Sequence, residues 1–142
     1  MKLLICGLPG SGKTTFAREL AYHFLIPHHN ADTVREMTDN WDFSPEGRMT
    51  QATFMGKQWG ILDLVAPTDY LRLAINPTKI IFMDTIKEGR FEDTNALFER
   101  PARIDCRHII TEWIPIPELR ERMKPYDKGV KGLQEFIENG LD

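Results

Sequence analysis

The chain has 142 residues, 42% of them hydrophobic and 27% charged, with a formal net charge of −3. That length fits one domain able to bury its own core without disulfides, and the ordinary composition excludes a disordered or low-complexity chain. The mild acidity argues against a broad nucleic-acid surface but leaves room for a local basic pocket that holds a small anion. Cys6 and Cys106 lie far apart and form no C-x-x-C pair, so a reducing, cytoplasmic setting is expected. No secretory segment is expected ahead of the first strand, and no apolar run reaches membrane-spanning length. The oligomeric state is open, a homodimer included.

In chain order, Lys2 to Cys6 is a short apolar run of strand character. The next eight residues, Gly7-Leu8-Pro9-Gly10-Ser11-Gly12-Lys13-Thr14, fit G-x-x-x-x-G-K-[ST], and apolar residues at helical spacing follow from Thr15 to Phe24. A strand, a glycine turn and a helix are the context that a phosphate-binding loop needs. The glycines let backbone N–H groups point inward around an anion, and the helix adds its positive N-terminal end. Gly7 to Thr15 is therefore the expected ATP site. Lys13 brings a charge to the β- and γ-phosphates and Thr14 a hydroxyl to Mg²⁺. A chance glycine turn would not also supply the eight matched positions and both flanks.

Leu25 to Asn30 reads as a short extended piece, Ala31 to Met37 as a helical turn and Thr38 to Asp42 as a polar loop. Ser44-Pro45-Glu46 starts a helix with a serine cap, a proline at the first position and an acid in the first turn. That helix runs to about Gln58, with Gly60 ending it. Ile61 to Val65 is a buried strand, Pro67-Thr68-Asp69 turns it into a short helix through Ala74, and Lys79 to Met83 is another strand. A helical stretch leads to the polar segment Arg90 to Arg103. Cys106 to Ile110 is a last strand, and Pro117 opens C-terminal helices. Alternating strands and helices imply a parallel five-stranded α/β sheet covered on both faces, with ligands beyond the carboxyl ends of the strands. The loop, Asp32, Pro67 and Asp84 fall at such ends and are candidates for one cleft.

With these residues placed, the chain resembles the adenylylsulfate kinase family of P-loop kinases, especially its short phage-like members. Beyond the loop, Asn30-Ala31-Asp32-Thr33-Val34-Arg35 resembles D-G-D-N-x-R, and Asp42 to Arg48 resembles G-F-S-x-x-D-R. Val65-Ala66-Pro67 resembles I-S-P, Phe82 to Thr85 resembles F-V-D-T, and Asp93 to Phe98 resembles the lid motif D-x-K-G-L-Y. The resemblance implies a single P-loop kinase domain, residues 1–142, with a lid at about 90–103 and C-terminal helices at about 117–140. It implies Mg²⁺-dependent transfer of the ATP γ-phosphate to the ribose 3′-hydroxyl of adenylylsulfate. Asn30, Gly47, Thr53, Ala66 and Asn95 stand where the family has Asp, Asp, Arg, Ser and Lys. Another acceptor is therefore kept open: a different nucleotide, a polynucleotide end or a small hydroxyl compound. A nucleotide-binding switch module with little transfer is a third reading.

Each candidate side chain has a competing reading. Asp32 serves as the base for an acceptor hydroxyl or as a helix N-cap. Arg35 and Arg48 clamp an acceptor oxyanion or form solvated ion pairs along their helices. Phe43 stacks on an acceptor base or staples the helix after Ser44. Phe54 is expected in the core. Asp63, an acid in an apolar strand, holds a water on Mg²⁺ with Thr14 or pairs with an arginine or lysine. Asp84 caps a turn or assists the metal. Arg90 is the chosen lid arginine, with Lys87 and Arg100 as rivals. His28 and His29 lack further metal ligands at suitable spacing and read as structural.

Overall fold

The computed structural model describes residues 2–102 and 106–111. The C-terminal helices expected from Pro117, and Arg103 at the end of the lid, lie outside the described residues. Among the described residues five strands and five helices follow one another: β1 (Lys2–Cys6), α1 (Lys13–Phe24), β2 (His28–Asn30), α2 (Ala31–Thr38), α3 (Pro45–Gly56), β3 (Gly60–Asp63), α4 (Asp69–Ile75), β4 (Lys79–Met83), α5 (Glu92–Leu97) and β5 (Cys106–Ile110). The strands form one sheet in the order β2-β3-β1-β4-β5, and every pair is parallel.

The central strand explains the layering. A parallel strand covered on both faces carries apolar residues at every position. Leu3 and Ile5 point into one core with Phe16, Ala17, Leu20 and Phe24 of α1. Leu4 and Cys6 point into the other, against Ala52 and Met55 of α3 and Leu71 and Ile75 of α4. The spacing of the α1 residues puts them on one helical face. Cys6 is buried, as its place in the first strand implies.

The start of α3 matches its sequence signals: the Ser44 hydroxyl accepts from the Gly47 amide at 3.1 Å, with Pro45 in the first turn. Four boundaries differ from the sequence reading. α3 ends at Gly56, and Gly60 opens β3. A Cβ at Gly60 would stand 2.5 Å from the Pro27 carbonyl oxygen, so this glycine lets the β2 approach run close. β3 stops at Asp63, before Leu64 and Val65. The stretch before Arg90 is not helical; the helix follows it, at Glu92–Leu97. Phe54 is not in the core, being 44% exposed on the outer face of α3.

Candidate functional site

Gly7 turns the chain out of β1. A Cβ there would stand 2.7 Å from the Met83 carbonyl oxygen and 2.8 Å from Ser11 Oγ. Gly10 and Gly12 take φ of 87° and 97°, a region that favours glycine. The Ser11 amide donates to the Leu8 carbonyl at 3.1 Å and closes the turn. Gly12 is the N-cap of α1 and offers no side chain, so the first amides of that helix are left for an anion. Thr85, just beyond β4, donates its hydroxyl to the Ser11 carbonyl at 2.6 Å and braces the loop from outside. Lys13 is 9% exposed, and its ammonium donates to the Leu8 carbonyl at 3.3 Å. Burial lowers its pKa from the ordinary lysine value, while the charges of Asp63, Asp32 and Cys6 act in the opposite direction.

Asp63 ends β3 beside this loop and is 1% exposed. Among the described residues no arginine or lysine is in hydrogen-bond contact with it. Its Oδ2 meets His28 Nε2 at 3.1 Å and Asn30 Nδ2 at 2.8 Å, which replaces the expected Arg or Lys pairing. Its Oδ1 is buried with no hydrogen-bond partner among the described residues. Burial raises the Asp63 pKa, but the hydrogen bonds from His28 and Asn30, the nearby Thr14 hydroxyl and the charge of Lys13 outweigh it and hold the carboxyl below its ordinary value. An ionised, buried oxygen without a partner, beside a threonine hydroxyl, is a donor set of the kind that a hard cation and its waters take. Among the described residues no three His, Cys, Asp or Glu side chains gather into a protein-only metal cage.

The candidate acceptor residues meet in one open cleft beyond the carboxyl end of β3. Asp32, Arg35, Phe43 and Arg48 line it, against an apolar wall that runs from Leu64 to Pro67 and includes Leu71. Asp32 is exposed in the first turn of α2 and is not the cap. The cap is Asn30, whose side chain accepts from the Thr33 amide at 3.0 Å. Asp32 accepts no hydrogen bond among the described residues, and its charge acts on both Lys13 and Arg35.

Arg35 is 3% exposed and makes no ion pair along its helix. Its NH1 donates to the Asn40 and Asp42 carbonyls at 3.0 and 3.1 Å, and its guanidinium lies 4.1 Å from the centre of the Phe43 ring. Burial, and then the nearby Arg48 charge, lower the Arg35 pKa. Arg48 donates Nε to the Phe43 carbonyl at 3.0 Å and lies 5.5 Å from the same ring. Phe43, half exposed, is thus a platform for two guanidinium groups. Gly47 makes this bend possible: a Cβ there would overlap the Asp42 carbonyl oxygen and side chain. The family's Asp at this position would not fit. Ala66 lies in the cleft wall with φ of 42°, a strained conformation for a residue with a side chain. Thr53, where the family has an arginine, is exposed and donates to Met49.

The residues expected to form a lid stand apart from this cleft. Arg90 is exposed, with its guanidinium 5.1 Å from the Phe91 ring centre. Asp84 is held by both arms of Arg100, at 2.9 and 2.6 Å, so it neither caps a turn through its side chain nor faces the cleft. Asn95, in place of the family's lysine, bonds both backbone groups of Gly89 at 2.8 and 2.9 Å. Gly89 in turn packs on the phosphate loop, where a Cβ would be 3.0 Å from the Pro9 carbonyl oxygen. Arg48 reaches across toward this region, 4.0 Å from Asp93 of α5. The sequence reading took His28 as structural and gave no role to Thr85 or the Asn30 side chain. The parallel register that sets Asn30 beside Asp63 is the signal it lacked.

No protein-family model matches the chain. A stretch of 77 residues, 54% of the chain, is 36% identical to a probable ATP-dependent transporter, ycf16, of Guillardia theta, and spans 30% of the length of that protein. The structure is similar to that of the Mycobacterium tuberculosis APS kinase CysC in complex with AMPPNP and APS, with a TM-score of 0.69, 16% identity and coverage of 87% of this chain and 95% of that one. It is also similar to shikimate kinase from Aquifex aeolicus, with a TM-score of 0.65, 12% identity and coverage of 99% of each. The five-stranded parallel sheet and its flanking helices are the P-loop kinase fold, shared by kinases with different acceptors.

Proposed function

We propose that the chain is an ATP-dependent phosphotransferase that moves the γ-phosphoryl group to a hydroxyl of a small anionic acceptor, with adenylylsulfate as the first acceptor to test. The observation that carries this reading is the position of Asp32. It lines the cleft, and its charge reaches both the loop lysine and the buried arginine of the cleft. Asp32 is the carboxylate among the residues lining that cleft, which supports its use as the base for an acceptor hydroxyl.

ATP would lie on Gly7 to Thr15, with loop amides and Lys13 on its phosphates. Thr14 and the bare Oδ1 of Asp63 would hold Mg²⁺ through its waters, and Mg²⁺ would neutralise charge on the β- and γ-phosphates. Asp32 accepts the proton of the acceptor hydroxyl as its oxygen bonds to the γ-phosphorus. The bond from that phosphorus to the β-bridging oxygen breaks, and ADP leaves with the electron pair. Arg35 and Arg48 orient the anionic part of the acceptor on the Phe43 platform. The lid supplies a cation to the moving phosphoryl group, and Arg90 is the residue assigned to this.

The test is acceptor-stimulated ADP release, measured for the wild type and for Asp32→Ala. Stimulation that disappears in Asp32→Ala while ATP still binds supports the reading; equal turnover in both proteins contradicts it. A different acceptor is favoured by one observation. The NH1 of Arg35 is already spent on two carbonyls, and Thr53 leaves the cleft without a third arginine.

A further inference from the structure

Asn30 is one side chain bonded to three parts of the site. Its Nδ2 donates one hydrogen to Thr14 Oγ1 at 3.2 Å and the other to Asp63 Oδ2 at 2.8 Å. Its Oδ1 accepts from the Thr33 amide at 3.0 Å. The amide orientation is fixed by chemistry, since an amide N–H only donates and an ionised carboxylate only accepts. β2 and β3 set the pairing, with Asn30 in register with Asp63.

The consequences follow from atom counts. Asn30 and His28 together occupy Asp63 Oδ2, which leaves Oδ1 bare and buried. The same amide nitrogen spans to the Thr14 hydroxyl and fixes its position relative to that carboxylate. At its other end, Asn30 starts α2, the helix that carries Asp32 and Arg35. An aspartate here could cap the helix but could donate nothing, and it would set a second negative charge against Asp63. The asparagine that breaks the family's D-G-D pattern is therefore matched to this network.

We infer that Asn30 is a positioning residue: it holds Thr14 and Asp63 in the arrangement that makes nucleotide binding respond to Mg²⁺, and it joins that arrangement to the helix bearing the acceptor groups. This rests on the phosphoryl-transfer reading for the identity of the ligand, but not on any acceptor.

The two jobs separate by mutation. Asn30→Ser keeps a cap oxygen for the Thr33 amide but cannot reach Thr14 and Asp63; Asn30→Ala loses both functions. ATP affinity of the full chain is measured by calorimetry, with Mg²⁺ and with EDTA, beside thermal melts. The gain in affinity that Mg²⁺ gives the wild type is expected to fall about tenfold or more in both variants, as for partners that orient metal-binding groups. Affinity in EDTA is expected to stay within about twofold, since the loop amides are untouched. The melting temperature should be lower for Ala than for Ser, which reports the cap alone. An undiminished Mg²⁺ gain in both variants would overturn the inference and leave Asn30 a helix cap, with phosphoryl transfer unaffected. A lost gain in a protein that stimulates ADP release with no acceptor would uphold the inference and refute the transfer reading. A wild type that binds ATP equally with and without Mg²⁺ would refute the inference and leave the transfer reading to be decided by ADP release.

Discussion

In the phosphate loop, eight consecutive residues present mostly backbone to a ligand. In the cleft beside it, Asp32 and Arg35 come from α2, Phe43 from the connection after it and Arg48 from α3. The loop is shaped by glycine geometry and a helix end, so its function is carried by spacing. The cleft is shaped by which side chains the fold has already committed to other bonds. An arginine at a family position is not an unoccupied clamp when one of its nitrogens holds two carbonyls and its face lies on an aromatic ring.

Five substitutions sharpen this contrast. The largest effect is expected at Lys13. Lys13→Met should abolish phosphoryl transfer, read as ADP release, while the apo protein becomes more stable. The sign follows from burial. A lysine whose pKa is lowered on folding destabilises the folded state below that depressed pKa, and the penalty is relieved as pH rises through it. The melting-temperature advantage of Lys13→Met should therefore shrink at alkaline pH. A variant less stable than the wild type at neutral pH would contradict this account of the loop.

Asp32→Ala comes next, with transfer reduced by about 10²–10⁴-fold and ATP affinity retained. A loss of helix stability comparable to removing a cap would point instead to a structural role, which Asn30 already fills.

Arg35→Ala should lower stability by about 2–3 kcal/mol, because it strips two carbonyls of a charged donor, and it should raise the acceptor KM. Gly47→Ala should cost about 1–3 kcal/mol through the overlap with Asp42, with a displaced Phe43. Denaturant melts of the two variants measure both effects. Normal stability in Gly47→Ala would mean that the bend before α3 is not constrained as described.

The smallest effect is expected at Asp42, an exposed residue whose carboxyl is held below its ordinary 3.8 by hydrogen bonds from Ser44. A depressed carboxylate pKa contributes stability above the unfolded value, and that stability is lost as pH falls through the folded value. Asp42→Asn should thus be slightly less stable than the wild type at pH 7, and the two should converge in acid. A difference that persists in acid would assign the effect to something other than charge.

Much of the fold was legible because its signals are local. β1 and the loop, the Ser44-Pro45 helix start and the apolar run Lys79 to Met83 each declare themselves within a few residues. The cleft was legible as a set of residues, since Asp32, Arg35, Phe43 and Arg48 do come together. Their bonding was not. Asn30 read as a departure from the family pattern until the β2–β3 register set it beside Asp63. Gly47 read as a lost acid until the Asp42 carbonyl was found against it. Such roles depend on contacts between elements, and periodicity along one element carries no record of them.

The central claim is that a donor loop and an acceptor cleft work as one site. Its most direct test is ADP release from MgATP across a panel of acceptors: adenylylsulfate, nucleoside monophosphates, small hydroxylated anions and 5′-hydroxyl oligonucleotides. The account predicts that a small anionic acceptor accelerates release and is recovered phosphorylated on a hydroxyl, with the acceleration lost in Asp32→Ala. Tight MgATP binding with no acceleration by any acceptor would contradict it and leave a nucleotide-binding module in its place.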